Sequence, residues 1–334
     1  MQQVIHLKSR VVYFHRNLNA GYSINKVTQT IISHFDNKEE YYVPYYRITL
    51  KSLLKNLYFI YKYRNKKGIN HITGGIHYGI LSLIGCKSVL TIHDTDLYDN
   101  TVLGLKKIFF YFFWYKLPLL FASKIVCISS ETKRNVQRFT RRKDIYVIYN
   151  PVASMLKPQK SRDNDIKSNC RILLIGTNCN KNVCRTIEAL GGLKCTVVII
   201  GRLTHEQMKC LHVNGIKYEN KYDLSDQAIF QEYCNCDIVS FCSIYEGFGM
   251  PIIEANSVGR AVICSNIEPL KEIASDAALF VNPYIVDDIR KGFIELIQNK
   301  ELRLRLIENG KRNVKRFIEI EIAGEYKRVY DSIL

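Results

Sequence analysis

The run Ser243-Ile-Tyr-Glu246-Gly247-Phe248-Gly249-Met250-Pro251-Ile252-Ile253-Glu254 decides the fold. Residues 237–242 before it form an apolar run of strand length, and 252–258 have helical character that stops at Gly259. Pro251 suits the first turn of a helix and Gly259 the residue past its last, so the spacing predicts strand, glycine loop, helix. Two glycines leave backbone amides uncovered, and a helix starting at Pro251 turns the positive end of its dipole back towards the strand tip. Glu246 stands before the loop and Glu254 about one turn into the helix, so both carboxylates reach one cavity. Amides flanked by two acceptor-only side chains suit a ligand rich in hydroxyls and phosphate oxygens.

The same alternation runs outward in both directions. Upstream the pattern reads strand at 171–175, helix at 182–190 and strand at 195–200; downstream it reads strands at 261–265 and 277–281. In the first half, strands are expected at 10–14, 42–46, 70–73, 87–92, 124–128 and 145–149. Helices are expected between them at 23–35, 49–64, 77–84, 103–122 and 130–139. This interval indicates βαβ units and parallel sheets covered on both faces. The fold class is α/β: two Rossmann-like doubly wound domains facing a central cleft. The first spans 1–153, a polar stretch at 154–169 with Pro158 reads as a linker, and the second spans 170–315. Segment 316–334 is helical in period, with either domain open to it. Ligands of open sheets bind beyond the carboxyl ends of the strands, which points to 15–23, Gly74, Gly75, His93, Asp94 and Ser129.

The chain of 334 residues carries a formal charge of +17. Residues 1–150 hold 23 Lys and Arg against 8 Asp and Glu, while 151–334 hold 25 against 23. A basic half faces nucleic acid, anionic lipid or an anionic substrate. Aromatics are interleaved with the basic residues at 51–64 and 106–116. That mixture suits a membrane interface, at ~1 kcal/mol for each Lys or Arg near anionic lipid. It also suits an aromatic core beneath a solvated basic face. No nucleic-acid-binding motif accompanies it.

Eleven cysteines lie mostly inside apolar runs, and the N-terminus lacks an apolar core of export-signal length. Reduced thiols in a cytoplasmic protein are therefore expected. Cys234 and Cys236 form a CxC pair with no second pair to complete a zinc site. The apolar stretch 108–121 is interrupted by Lys116 and Pro118 and falls short of the ~20 residues that span a bilayer.

Extended to Ile263, the opening stretch resembles the donor-binding signature of family 4 (group 1) retaining glycosyltransferases of the GT-B fold. That signature has two glutamates around a Gly-Phe-Gly-x-Pro core, then a small-residue helix and a strand. The segment from Gly176 and Thr177 through Lys181 and Asn182 resembles the family's opening of the second domain. Thr91 to Asp94, Ile128-Ser129 and Asn150-Pro151-Val152 resemble its first-domain elements, and Asn19 to Ile24 occupy the place of its first glycine loop. The resemblance implies that Glu254 holds ribose hydroxyls. It assigns the transferred sugar to Glu246, Gly247 and the amides of Phe248, Gly249 and Met250, and the leaving diphosphate to Lys181. His93 would approach the sugar's reactive side, Gly21 the diphosphate or acceptor, and Thr177 and Arg202 would add donor contacts. The implied catalytic set is His93, Glu246 and Lys181, with no metal and no cofactor beyond the donor itself.

Two positions depart from the family pattern: Asn180 stands where Arg is frequent, and Ala20-Gly21 where paired glycines are common. The implied function is transfer of a sugar, with retention, from a UDP- or GDP-sugar to a saccharide or lipid-linked acceptor. The setting would be surface polysaccharide assembly (capsule, O-antigen or exopolysaccharide) at the inner face of a membrane, without nucleic acid. A phosphorylase, an epimerase or a non-catalytic sugar-nucleotide binder would share the fold.

Overall fold

A computed structural model of the chain describes residues 4–20, 23–101, 103–153, 156 and 166–334. Gly21, and most of the expected linker at 154–169, lie outside the described residues. The chain forms two compact units: Met1–Pro151 together with Glu319–Leu334, and Val152–Ile318.

The first unit is built on β1 (Val11–His15), β2 (Lys38–Tyr42), β3 (Ile69–Ile72), β4 (Lys87–Ile92), β5 (Lys124–Cys127) and β6 (Ile145–Val147). They form one sheet in the order β2-β1-β3-β4-β5-β6, parallel throughout. Every residue of β1 and β3 is buried, as expected where helices cover both faces. Phe14, Ile72, Leu90 and Ile125 share a core with Leu53 and Ile60 of the helix Leu50–Tyr63 and with Phe110 and Trp114. Tyr13, His71 and Thr91 belong to a second cluster, where they meet Tyr326 and Tyr330 of the terminal helix Glu319–Asp331. His71 ties this cluster together, bonded to Tyr330 Oη and to Thr91 Oγ1, each at 2.8 Å.

The second unit carries β7 (Cys170–Ile175), β8 (Cys195–Ile200), β9 (Lys217–Lys221), β10 (Ile238–Phe241), β11 (Ala261–Ser265) and β12 (Leu279–Val281). Their order is β12-β11-β10-β7-β8-β9, again all parallel. Its helices include Val183–Leu190, Asp226–Asn235, Met250–Val258, Val286–Gln298 and Lys300–Asn313.

Two strands differ from expectation, and both are sheet edges. β2 is Lys38–Tyr42, not the aromatic run 42–46, and β9 was not anticipated. Pro44 lacks the N–H a ladder needs, so the aromatic run continues past the strand as a loop. The edges themselves, Lys-Glu-Glu-Tyr-Tyr and Lys-Tyr-Glu-Asn-Lys, are half-exposed and polar, and show no apolar alternation to read. The long aromatic helix at Leu105–Phe121 is interrupted by a π-helical turn over Phe110–Lys116. All eleven cysteines are free thiols.

Candidate functional site

In the second unit the sheet order reverses between β7 and β10: the chain moves outward to β8 and β9 on one side and to β11 and β12 on the other. A crevice opens at such a reversal, beyond the carboxyl ends of the two strands. β7 runs out into Gly176, at φ +89°. A Cβ at Gly176 would lie 2.9 Å from Lys181 Cε, so glycine is what lets the lysine stem cross the backbone there. Residues Cys179–Lys181 make one 3-10 turn, and Asn182, at φ +57°, opens the helix Val183–Leu190. Asn182 donates its side-chain amide to Cys242 O at 3.0 Å and to Pro283 O at 2.7 Å, which fixes the turn. The Lys181 ammonium consequently sits over the Phe241 ring, 4.6 Å from its centroid, and donates to Glu246 Oε1 at 2.6 Å.

The loop after β10 is stapled to this turn. Ile244 N donates to Asn180 O at 2.8 Å, and Asn180 Nδ2 returns a bond to Tyr245 O at 3.0 Å. Asn180 therefore joins the two loops where an arginine would offer a charge. Gly249, at φ +113°, caps the helix Met250–Val258; a Cβ there would come within 2.8 Å of Leu270 Cδ2. Pro251 lies in the first turn of that helix, and Gly259, at φ +74°, ends it. Phe248 is buried, with its ring edge-on to Phe317.

Glu254 is partly exposed on a helix that is otherwise almost entirely buried. It accepts a hydrogen bond from Tyr233, a buried phenol of the helix Asp226–Asn235. Burial and the neighbouring Glu254 push that phenol's pKa well above its ordinary value, so Tyr233 stays a donor. Lys181 and Glu246 are 19% and 12% exposed, so each would be left a costly charge without the other. Thr177 Oγ1 donates to Arg202 O at 2.7 Å, while the Arg202 guanidinium is exposed, pairs with Asp223 and lies over Tyr222.

His93 belongs to the first unit, at the carboxyl end of β4. Its Nε2 lies 3.0 Å from Thr73 O; a carbonyl only accepts, so Nε2 carries the proton and Nδ1 is left as an acceptor. Burial lowers the pKa of His93 to about 4, which keeps the ring neutral. Gly74 makes room for it, since a Cβ there would fall 2.4 Å from His93 Cδ2. This sheet also reverses, between β1 and β3, and beyond their ends lies a cavity of ≈ 280 Å³ lined by Arg16, Tyr45, His77, His93, Asp94 and Trp114, among others.

Seven expected residues thus lie at one switch point: Lys181, Glu246, Gly247, Phe248, Gly249, Met250 and Glu254. Thr177 and Arg202 stand beside it on the strand ends of β7 and β8, His93 lies in the other unit, and Gly21 is outside the described residues. Tyr233 was missed because no motif marks it. Arg16 lay within the segment to inspect after β1, and a strand order would have singled it out.

Comparison with known proteins places both units. Residues 9–154 match the family model described as Glycosyltransferase Family 4, and residues 171–313 that described as Glycosyl transferases group 1. An uncharacterized glycosyltransferase of Methanocaldococcus jannaschii is 26% identical over 255 residues, covering 73% of this chain and 68% of that protein. The Escherichia coli O-antigen chain mannosyltransferase B is 40% identical over 75 residues, 22% of this chain and 20% of that protein. The N,N'-diacetylbacillosaminyl-diphospho-undecaprenol alpha-1,3-N-acetylgalactosaminyltransferase of Campylobacter jejuni is 30% identical over 102 residues, 30% of this chain and 27% of that one. The matches with these last two relatives therefore span less than a third of their length. The crystal structure of Anabaena HepE with UDP and glucose superposes with a TM-score of 0.77 at 14% identity, over 97% of this chain and 100% of that one. At that identity the likeness is one of GT-B fold.

Proposed function

The chain belongs to the family 4, group 1 glycosyltransferases, and from that premise we propose a retaining, metal-independent transfer of a hexosyl group from a nucleoside-diphosphate sugar to a saccharide or lipid-linked acceptor. The observation that carries this reading is the Lys181–Glu246 pair at the switch point of the second unit. Glu246 balances the ammonium; an entering diphosphate offers Lys181 a stronger anion and releases Glu246 to accept from sugar hydroxyls. As the bond from the anomeric carbon to phosphate breaks, charge grows on the leaving oxygen, where a fixed ammonium is worth most. The acceptor oxygen bonds to the same face of the carbon, and its proton passes to the departing phosphate oxygen. Glu254, oriented by Tyr233, accepts from the ribose diol. The neutral His93 offers Nδ1 to a hydroxyl at the reacting side, with the acceptor in the cavity that His93 lines.

HepE, crystallised with UDP and glucose, makes UDP-sugars the first donors to try, with GDP-sugars next. The O-antigen enzyme and the undecaprenol-linked transferase among the relatives support a role in surface polysaccharide assembly. Among the described residues no helix is long and apolar enough to cross a membrane. Peripheral membrane contact is supported by the helix Leu50–Tyr63, which exposes Leu50, Leu54, Tyr58 and Tyr61 beside Lys51, Lys55 and Lys62. The deciding experiment is transfer followed by NMR in EDTA. An anomeric configuration equal to the donor's is expected at an unchanged rate; inversion, or loss of activity restored by a divalent cation, would refute the respective part.

A further inference from the structure

The cavity of the first unit holds a cation that, among the described residues, no carboxylate pairs with directly. Arg16 follows β1, and its side chain lies across Gly75, at φ +70°, where a Cβ would come 3.2 Å from Arg16 Cδ. The guanidinium is half-buried, and burial pulls its pKa below the usual range, the mark of a cation losing solvation. Among the described residues no carboxylate lies within 4 Å of it; Asp94 acts on it from farther away and spends one oxygen on Asp96 N at 3.1 Å. Among the described residues Arg16 Nε is buried without a hydrogen-bond partner, and so are Trp114 Nε1 and His77 Nδ1 in the same wall. A second cation, Arg47, lines the same cavity, donating to Tyr46 Oη at 3.2 Å. A desolvated, unpaired cation is costly unless something arrives to pair with it. Tyr45, Tyr46 and Trp114 supply flat apolar walls beside the charges, the surfaces on which the C–H face of a sugar ring rests.

We propose that Arg16 is an anion-holding residue and that the acceptor bound in this cavity carries a phosphate or carboxylate group near the hydroxyl that receives the sugar. This rests on the reading above that the acceptor occupies this cavity, and it names the chemistry selected there. Two sources share that chemistry: the diphosphate of a lipid carrier and the carboxylate of an acidic sugar. A guanidinium is suited to either, since its fork meets both geometries with two hydrogen bonds.

The test is calorimetric titration of inorganic pyrophosphate and of glucuronate into Lys181→Ala protein, in which the donor-side cation is gone. At least one anion should bind, and adding Arg16→Gln should weaken it tenfold or more, with Arg16→Lys retaining most of the affinity. Pyrophosphate alone would point to the lipid carrier, glucuronate alone to an acidic sugar. Absence of binding by both anions, or an Arg16→Gln effect under twofold, overturns the proposal. UDP titrated into Arg16→Gln in the otherwise wild-type chain should bind as before; an equal loss there would hand Arg16 to the donor and overturn it as well. If the anion binds through Arg16 yet fails to compete with acceptor in the transfer reaction, the anion site stands and the placing of the acceptor in this cavity falls.

Discussion

At the switch point of each sheet a basic side chain crosses a glycine of positive φ: Lys181 over Gly176 in the second unit, Arg16 over Gly75 in the first. Lys181 meets Glu246 at 2.6 Å, whereas Arg16 has no carboxylate within 4 Å among the described residues. The same device is therefore self-balanced in one unit and open in the other. A self-balanced site can exchange one anion for another, Glu246 for diphosphate, without a bare charge at any stage. An open site selects for whatever brings the missing charge. On the proposed reading, donors share a diphosphate while acceptors differ, and the unbalanced cation would then sit in the unit that chooses.

The contrast breaks most visibly through activity. Lys181→Ala should lower kcat by roughly 10²–10³, the usual loss on removing one charge-stabilising group, read by steady-state transfer. Without ligand the same change should also lower stability by roughly 1–3 kcal/mol, because Glu246 is left mostly buried with only a long bond from Asn180 Nδ2, at 3.4 Å, in place of its ion pair. Arg16→Met should leave unliganded stability within about 0.5 kcal/mol or raise it, since no hydrogen-bonded carboxylate is stranded and Asp94 feels Arg16 only from farther away. Equal losses for the two variants in urea unfolding would end the comparison.

Acid should separate the units next. His71 and His77 are held at about 3 and His93 at about 4, chiefly by burial, against an ordinary 6.5. Unfolding lets these rings take up protons that the folded unit refuses, so stability falls as pH drops from 6.5 towards 4, by about 1.4 kcal/mol per pH unit for each ring. Asp94, raised to about 6, works the other way by taking its proton in the folded state first, but it is one group against three. In the second unit His205 and His212 are exposed. Hydrogen exchange at pH 5 should show β1, β3 and β4 losing protection before β7 and β10, and simultaneous loss would contradict this.

A smaller effect sharpens the donor side. Tyr233→Phe removes one hydrogen bond to Glu254, worth about 1 kcal/mol, so nucleotide affinity should drop about fivefold. kcat and acceptor KM should hold. An unchanged affinity would make Tyr233 a packing residue.

Glu246, Lys181 and Glu254 were legible because their neighbourhood is chemically forced: a glycine for each tight turn, a proline inside the first helical turn, a glycine past its end. Central strands were legible too, since burial on both faces makes them continuous apolar runs. Lys38–Tyr42 and Lys217–Lys221 were not, because an edge strand buries too little to show a pattern. Tyr233 escaped, and Arg16 was not singled out within 15–23, for another reason. Their partners, Glu254 and Gly75, are brought near by the order of strands in the sheet, which local spacing does not encode. The Lys181–Glu246 bond is of the same kind: each residue could be picked out alone, but their contact needed β7 beside β10.

The most direct test of the central claim is thermal unfolding with UDP, GDP and ADP, and their sugar conjugates, for the wild type and Glu254→Ala. At a hundred times its dissociation constant a bound nucleotide adds about 2.7 kcal/mol, so one of these bases should raise the wild-type midpoint and leave the variant unmoved. Equal stabilisation of both proteins, or of neither by any nucleotide, would contradict a donor site built on Lys181, Glu246 and Glu254.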